Sequence, residues 1–403
     1  MKKNNNKSKR MVVLMGATGT NFIAGILYVW SVISKGLVGQ LNWTNQEASL
    51  PYTVATISFV IAMILFGKVQ DSKGPKVTGT IGAILLGVGI ILSGFAKTPI
   101  MMTLTFGIIT GLGIGILNIS TISPALKWFS ADKKGMISGI VVAGVGLSSV
   151  FYSPLANYLV NLVGISRTFI YLGFFALVLS LIFVRKLENP PSGYLSETNS
   201  KTSDDQKTIK DYDSKDMMKT KSFYKLWIML TFSSSAGLMV IGHMSNITKI
   251  QTGWESGFLL VILLALFNTL GRILGGRVCD KFGRINLMRL TFALQGVNML
   301  FFAEYTNIAL LTFGVALAGF CYGANFSVFP VIVSDFYGMK NYGINYGIMQ
   351  TGWGVGGVIG PMVAANIFDL TNSYKKAYII AFILLFIALI ISFTFKNYRL
   401  ESR

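Results

Sequence analysis

The sequence predicts an all-α membrane protein with twelve transmembrane helices in two parallel, pseudo-symmetric six-helix halves. Three observations lead there. Apolar side chains make up 52% of the 403 residues and charged ones only 13%, whereas soluble chains carry about a quarter charged residues. The apolar residues fall in runs of roughly the 20 residues that a bilayer-crossing helix needs. A loop motif and a glycine series occur twice at nearly one offset. Disorder is excluded by this hydrophobicity, and a disulfide-stapled secreted fold by a total of two cysteines.

Taken in order, the runs lie near 11–34, 48–67, 77–96, 100–123, 136–160 and 167–184. After a polar stretch they resume near 226–247, 256–276, 286–303, 307–332, 342–366 and 377–395. Glycine, proline, serine and threonine are frequent inside them, which membrane helices tolerate when neighbouring groups re-satisfy the backbone. The basic start (Lys2, Lys3, Lys7, Lys9, Arg10) precedes a run too long for the core of a signal peptide. It also lacks a small-x-small cleavage site, so it reads as the first span.

The net charge of +19 raises the question of nucleic acid. The positions of the charges answer it. With a cytoplasmic N-terminus, the outer loops hold only Lys35, Lys97, Arg167, Lys249, Lys375 and Lys376. All other Lys and Arg but one fall in cytoplasmic segments. That is the positive-inside pattern, with both termini in the cytoplasm. A multi-pass protein of a cell inner membrane or plasma membrane is expected, with the lipid bilayer and not nucleic acid as partner.

Gly67-Lys-Val-Gln-Asp71-Ser-Lys-Gly74-Pro-Lys76 has a counterpart in Gly276-Arg-Val-Cys-Asp280-Lys-Phe-Gly283-Arg284, 209 residues on. Gly111, Gly115, Gly135, Gly139, Gly144 and Gly146 recur 208 residues later as Gly319, Gly323, Gly343, Gly347, Gly352 and Gly354. A duplicated six-helix unit explains both. An even number of helices per copy makes the repeats parallel, and a substrate would then be expected near the midplane between them. The expected organisation is a first half over 1–185, a cytoplasmic linker over 186–222 and a second half over 223–403. The linker is mixed in charge and poor in apolar residues, so it reads as a mobile tether.

With its twelve spans, central loop and duplicated loop motif, the chain resembles the major facilitator superfamily. Within it, the chain is similar to the oxalate/formate antiporter family, which borders the monocarboxylate transporters. The residues that carry this resemblance are Gly25-Ile-Leu-Tyr28-Val-Trp30-Ser31, Asn189-Pro-Pro-Ser-Gly-Tyr194 and Phe223-Tyr-Lys-Leu-Trp227. Further matches are Ala236-Gly-Leu-Met-Val-Ile-Gly-His243, Asn268-Thr-Leu-Gly-Arg272 and Gln350-Thr-Gly-Trp353-Gly354. The resemblance implies the major facilitator fold and a carrier of small carboxylates, not an enzyme.

Arg272 is the remaining cation, in the middle of the eighth span, and all 16 acids lie outside the spans. An Arg at mid-membrane costs from a few to over ten kcal/mol unless solvated or paired. It either meets backbone carbonyls and water or binds an anionic substrate. Guanidinium matches a carboxylate through two parallel hydrogen bonds, and the resemblance implies the same role. Asn268 sits one turn earlier on the same face, as a packing amide or a substrate contact. The resemblance implies an Asp there in proton-coupled animal relatives, so Asn removes a proton site. His243 is the only histidine. It is a candidate carrier of a coupled proton or a substrate donor, and otherwise an interfacial residue.

Tyr28, Trp30, Tyr152, Tyr322 and Trp353 are mid-span aromatics at positions the resemblance marks, and Asn118 and Gln350 are mid-span polar groups. Each either lines a binding site or packs. Asp71, Gly74, Lys76, Asp280, Gly283 and Arg284 read as a conformational latch, away from substrate. Gly111-Leu-Gly-Ile-Gly115 is no phosphate loop, since no strand precedes it and no Lys-Ser/Thr follows. Cys279 and Cys321 stand apart from any metal-ligand cluster, so no metal or cofactor is expected.

In the oxalate-exchanging relative, the resemblance implies a second cation on the eleventh span, but nothing between Lys340 and Lys375 is Lys or Arg. One cation balances a monoanion, whereas a second carboxylate would remain unpaired in low dielectric. The function expected is secondary transport of a small monocarboxylate (lactate, formate, pyruvate or similar) by alternating access, with proton symport or anion exchange. Oxalate/formate-type exchange, a drug or sugar carrier, and a non-transporting membrane sensor are the alternatives.

Overall fold

The computed structural model describes residues 2–191, 194 and 210–395. Ser192-Gly193 of the Asn189–Tyr194 motif, residues 195–209 of the linker and the basic residues of the 396–403 tail lie outside them. Among the described residues the secondary structure is helical, without strands. Eleven helical stretches are long and apolar enough to cross a membrane. The longest, Ala131–Val184, is interrupted at Gly164, whose φ of 80° and ψ of 165° leave the helix. It therefore supplies two crossings, which brings the expected twelve.

The chain separates into two compact units. One comprises Met1–Ser130, Val141–Asn199 and Met339–Ile348; the other comprises Ala131–Ile140, Ser200–Gly338 and Met349–Arg403. Each unit thus holds a ten-residue segment of the other sequence repeat. The two segments are separated by the 208-residue offset of the duplication.

In the first unit, α1 (Lys2–Ala24), α2 (Trp30–Leu41), α3 (Asn45–Lys73) and α4 (Pro75–Ser93) come in succession. A short α5 (Pro99–Met102) and a π-wound stretch, Thr103–Thr110, lead into α6 (Gly111–Trp128). Local chemistry sets these boundaries. Thr44 starts α3 with a capping box, accepting from the Glu47 amide at 3.2 Å while Glu47 accepts from the Thr44 amide at 2.8 Å. Gly74 ends α3 at φ 82°, a conformation only glycine adopts easily. Asn21 Nδ2 donates to the Val141 carbonyl at 3.1 Å and ties α1 to α7 (Lys134–Val184). Ser148 of α7 donates at 3.0 Å to the carbonyl of Gly25, which opens the turn after α1.

The second unit begins with a six-residue α8 (Ser214–Lys219), then α9 (Lys221–Thr252), α10 (Phe258–Phe282), α11 (Arg284–Phe301) and α12 (Ile308–Tyr337). Its last helices are α14 (Thr351–Thr371) and α15 (Lys375–Phe393); α13 (Tyr342–Met349), which Gln350 separates from α14 along the chain, belongs to the first unit as far as Ile348. Gly283 ends α10 at φ 95°, the duplicate of the Gly74 turn. Small residues bring backbones together, as membrane helix pairs require: Gly271 abuts the Phe320 carbonyl, Gly319 the Leu264 carbonyl and Gly323 the Asn268 carbonyl. Buried side-chain hydrogen bonds add to this, such as Thr291 to Asn325 at 2.7 Å and Trp227 Nε1 to Thr351 at 2.7 Å.

The linker departs from the mobile tether expected over 186–222. Residues 210–219 are ordered and α8 buries Met217 completely, because Tyr212 and Met217 give this polar stretch two apolar points of attachment.

Candidate functional site

Arg272 lies at the middle of α10 and is fully buried. Its Nε donates to Asn268 Oδ1 at 2.9 Å, the one-turn spacing expected from sequence. One face of the guanidinium lies over the ring of Phe326, 4.9 Å from its centroid. That contact adds a cation–π attraction, about 2 kcal/mol when desolvated. Amide and ring together fix the direction of the fork.

Phe326 was not marked by the sequence, although it follows Tyr322 by one turn on α12. Tyr322 and Phe326 approach at 5.9 Å between centroids, and Phe326 meets Trp353 edge-on at 6.2 Å. Trp353 Nε1 donates to Tyr322 Oη at 2.9 Å. The second unit therefore gathers Arg272, Asn268, Tyr322, Phe326 and Trp353 from α10, α12 and α14 into one connected cluster. Gly237 on α9 backs the Tyr322 ring, with no room for a Cβ. Gln350, at the start of α14, is buried in the same unit.

His243 belongs to a different network. Its Nε2 is 3.0 Å from the Pro361 carbonyl and its Nδ1 is 3.3 Å from Tyr374 Oη. Asn246 Nδ2 donates to that same hydroxyl at 2.8 Å. A carbonyl only accepts, so Nε2 donates in the bond to Pro361. The ring joins α9 to α14 and to the residue before α15.

The remaining candidates lie in the first unit. Tyr28 is half-buried in the tight turn Gly25–Val29. Asn118 is buried on α6, its carbonyl accepting from Thr121 at 2.8 Å. Tyr152 is completely buried among Phe22, Phe151 and Phe175, and its hydroxyl has no hydrogen-bond partner. Its surroundings are those of a packing residue.

The duplicated loop motif makes duplicated contacts. Asp71 accepts from the amides of Gly343 (2.7 Å) and Ile344 (3.0 Å). Asp280 accepts from the amides of Gly135 and Met136, both at 2.8 Å. Each carboxylate thus closes the first turn of a helix, where unpaired N–H groups and the helix dipole favour a negative charge. Gly67 packs on Gly343 and Gly276 on Gly135 so closely that a side chain would not fit. The two junctions differ in their cations. Arg284 pairs with Asp280 at 3.5 Å and Asp335 at 3.1 Å, and Lys134 reaches Asp335 at 3.5 Å. Lys76 pairs instead with Glu188, at 3.2 Å on the exposed surface. Asp335 and Lys134 had not been singled out, since an acid and a lysine at helix ends carry no distinctive spacing.

The model of the Major Facilitator Superfamily matches residues 11–303 and 228–403. The chain belongs to that superfamily. Among curated proteins, this superfamily member is 27% identical over 362 residues to an uncharacterized MFS-type transporter, YhjX, of Escherichia coli strain K12. That match spans 89% of this chain and 88% of the relative. It is 25% identical to the oxalate:formate antiporter of Oxalobacter formigenes, over 85% of this chain and 82% of that one. Among solved structures, the proton:xylose symporter XylE superposes with a TM-score of 0.75 at 15% identity, covering 97% of this chain and 96% of that chain. The fold is that of a major facilitator transporter.

Proposed function

We propose that this transporter carries a small monocarboxylate anion, and that Arg272 binds the carboxylate. The observation that carries the reading is the buried guanidinium, oriented by Asn268 Oδ1 at 2.9 Å and by Phe326 at 4.9 Å. A fixed fork accepts a planar carboxylate through two parallel hydrogen bonds. Tyr322 and Trp353, locked together at 2.9 Å, supply an apolar wall for the short remainder of the acid. Similarity to the oxalate:formate antiporter of Oxalobacter formigenes supports an organic anion as cargo. The single-cation argument favours one negative charge over two.

Transport proceeds by alternating access, as proton symport or anion exchange. The sequence repeats form the two halves, the basic ends face the cytoplasm, and Asp71 and Asp280 latch one conformation. The membrane is a cell inner membrane or plasma membrane.

The test is uptake into proteoliposomes of lactate, formate, oxalate and nitrate, offered separately, with a thermal-shift screen of the same anions. Saturable lactate or formate uptake that is lost in Arg272→Lys is the expected result. Preferred oxalate uptake overturns the single-cation argument, preferred nitrate uptake overturns the carboxylate assignment, and binding without flux turns the protein into a sensor.

A further inference from the structure

The segment joining the two sequence repeats is attached at both ends to helix termini. In the first unit, Trp128 is the last residue of α6. Its Nε1 donates to the Glu188 carbonyl at 2.8 Å, and Tyr194 meets its ring edge-on at 4.9 Å. In the second unit, Tyr337 is the last residue of α12 and is held three times. The Tyr212 amide donates to its carbonyl at 3.0 Å, the Tyr212 ring stands edge-on to its ring at 5.7 Å, and its hydroxyl lies 3.2 Å from Thr220 Oγ1. The last carbonyls of a helix lack partners within the helix, and here the linker provides one.

Two further features mark the second attachment as built. Gly338, which follows Tyr337, has φ 80° and lies directly against Asp211, so a Cβ there would clash with the Asp211 Cα and carboxylate. Thr220 also caps α9 by accepting from the Phe223 amide at 3.2 Å, so one residue joins the start of α9 to the end of α12. Trp128 and Phe336 are 208 residues apart, as are Phe129 and Tyr337. The two linker ends therefore grip neighbouring, not equivalent, positions at the end of the duplicated helix.

We propose that the linker is a two-point strap: Tyr194 on Trp128 and Tyr212 on Tyr337 hold the terminal turns of the fourth and tenth spans. The anchors hold those turns whatever the length of chain between them. This inference does not depend on the substrate.

The test is amide hydrogen exchange on the full-length protein in lipid nanodiscs. Four variants are compared with wild type: Tyr212→Pro, which deletes the N–H donor; Tyr212→Ala, which removes only the ring; Tyr194→Ala; and a ten-residue Gly/Ser insertion after Lys201. Tyr212→Pro should raise exchange in 333–338 about tenfold, and Tyr212→Ala severalfold. Tyr194→Ala should act on 124–129 alone, and the insertion on neither. Should Tyr212→Pro fail to fold, Tyr212→Ala carries the same comparison. Unchanged exchange at 333–338 in the Tyr212 variants overturns the strap, as does loosening of both helix ends by the insertion.

Discussion

Asn268 and Arg272 share one face of α10, and the Oδ1 of the first accepts the Nε–H of the second at 2.9 Å. A neutral amide in this place orients the cation without setting a negative charge beside it. A carboxylate in the same place would cancel the cation's charge.

Arg272→Lys keeps the charge but replaces a planar fork, fixed by Asn268 and Phe326, with a flexible point ammonium. Lactate or formate uptake should fall at least tenfold, on the order of 1.4 kcal/mol or more, at matched protein levels in the vesicles. Near-normal uptake would remove Arg272 from substrate binding.

Asn268→Asp places an acid 2.9 Å from the guanidinium nitrogen it now serves. The pair then has no net charge, and an anion must compete with the new carboxylate. Affinity for the anion should drop about tenfold or more near neutral pH and recover as the acid is protonated. A binding titration across pH reads this out, and an affinity as in wild type throughout would contradict it.

Asp71→Asn and Asp280→Asn each keep the shape of the side chain but withdraw charge from a helix N-terminus. Charge-assisted bonds of this kind are worth about 1.5–3 kcal/mol. Both variants should slow flux while leaving substrate affinity within a few-fold. Asp280→Asn should be the more severe, because it also unbalances Arg284, Asp335 and Lys134. A large affinity loss at unchanged turnover in either variant would refute the latch.

His243 is held between Tyr374 and Pro361, with Asp369 and Tyr374 as the titratable groups beside it. A proton on Nδ1 makes that nitrogen the donor in its bond to Tyr374 Oη. An imposed inward proton gradient should stimulate lactate uptake, and His243→Gln should blunt the stimulation while sparing uptake without a gradient. Uptake compared with and without the gradient decides it, and an undiminished response in the variant would take His243 out of coupling.

The spans could be read from sequence because burial in lipid demands long apolar runs, and the break at Gly164 fell between two of them. The duplication was visible through Asp71 and Asp280. Their partners were not, since Gly343, Ile344, Gly135 and Met136 contribute backbone amides, which every residue but proline has. Arg272 stood out by its charge, and Asn268 by its spacing from it. Phe326 did not, being one of 29 phenylalanines whose relation to Arg272 exists only once α12 packs on α10. Tyr212 was lost in a polar stretch for a similar reason: its anchor, Tyr337, lies 125 residues away.

The exchanged segments have a consequence for how the protein is made. Asp71 leaves the ribosome 272 residues before Gly343, the amide it will hold. At 5–20 residues per second, that interval is roughly 15–55 s. Through it the first repeat waits in the membrane with an acid that has no final partner, and its compact unit still lacks Met339–Ile348. Asp280 has no such wait, since Gly135 and Met136 are already synthesised when it appears. Assembly is thus ordered by the direction of translation: the second repeat docks onto completed chain, and only then does the first acquire its missing piece. A truncated message ending in the linker would leave the first repeat without that piece, and co-expression of the second repeat as a separate chain would restore it.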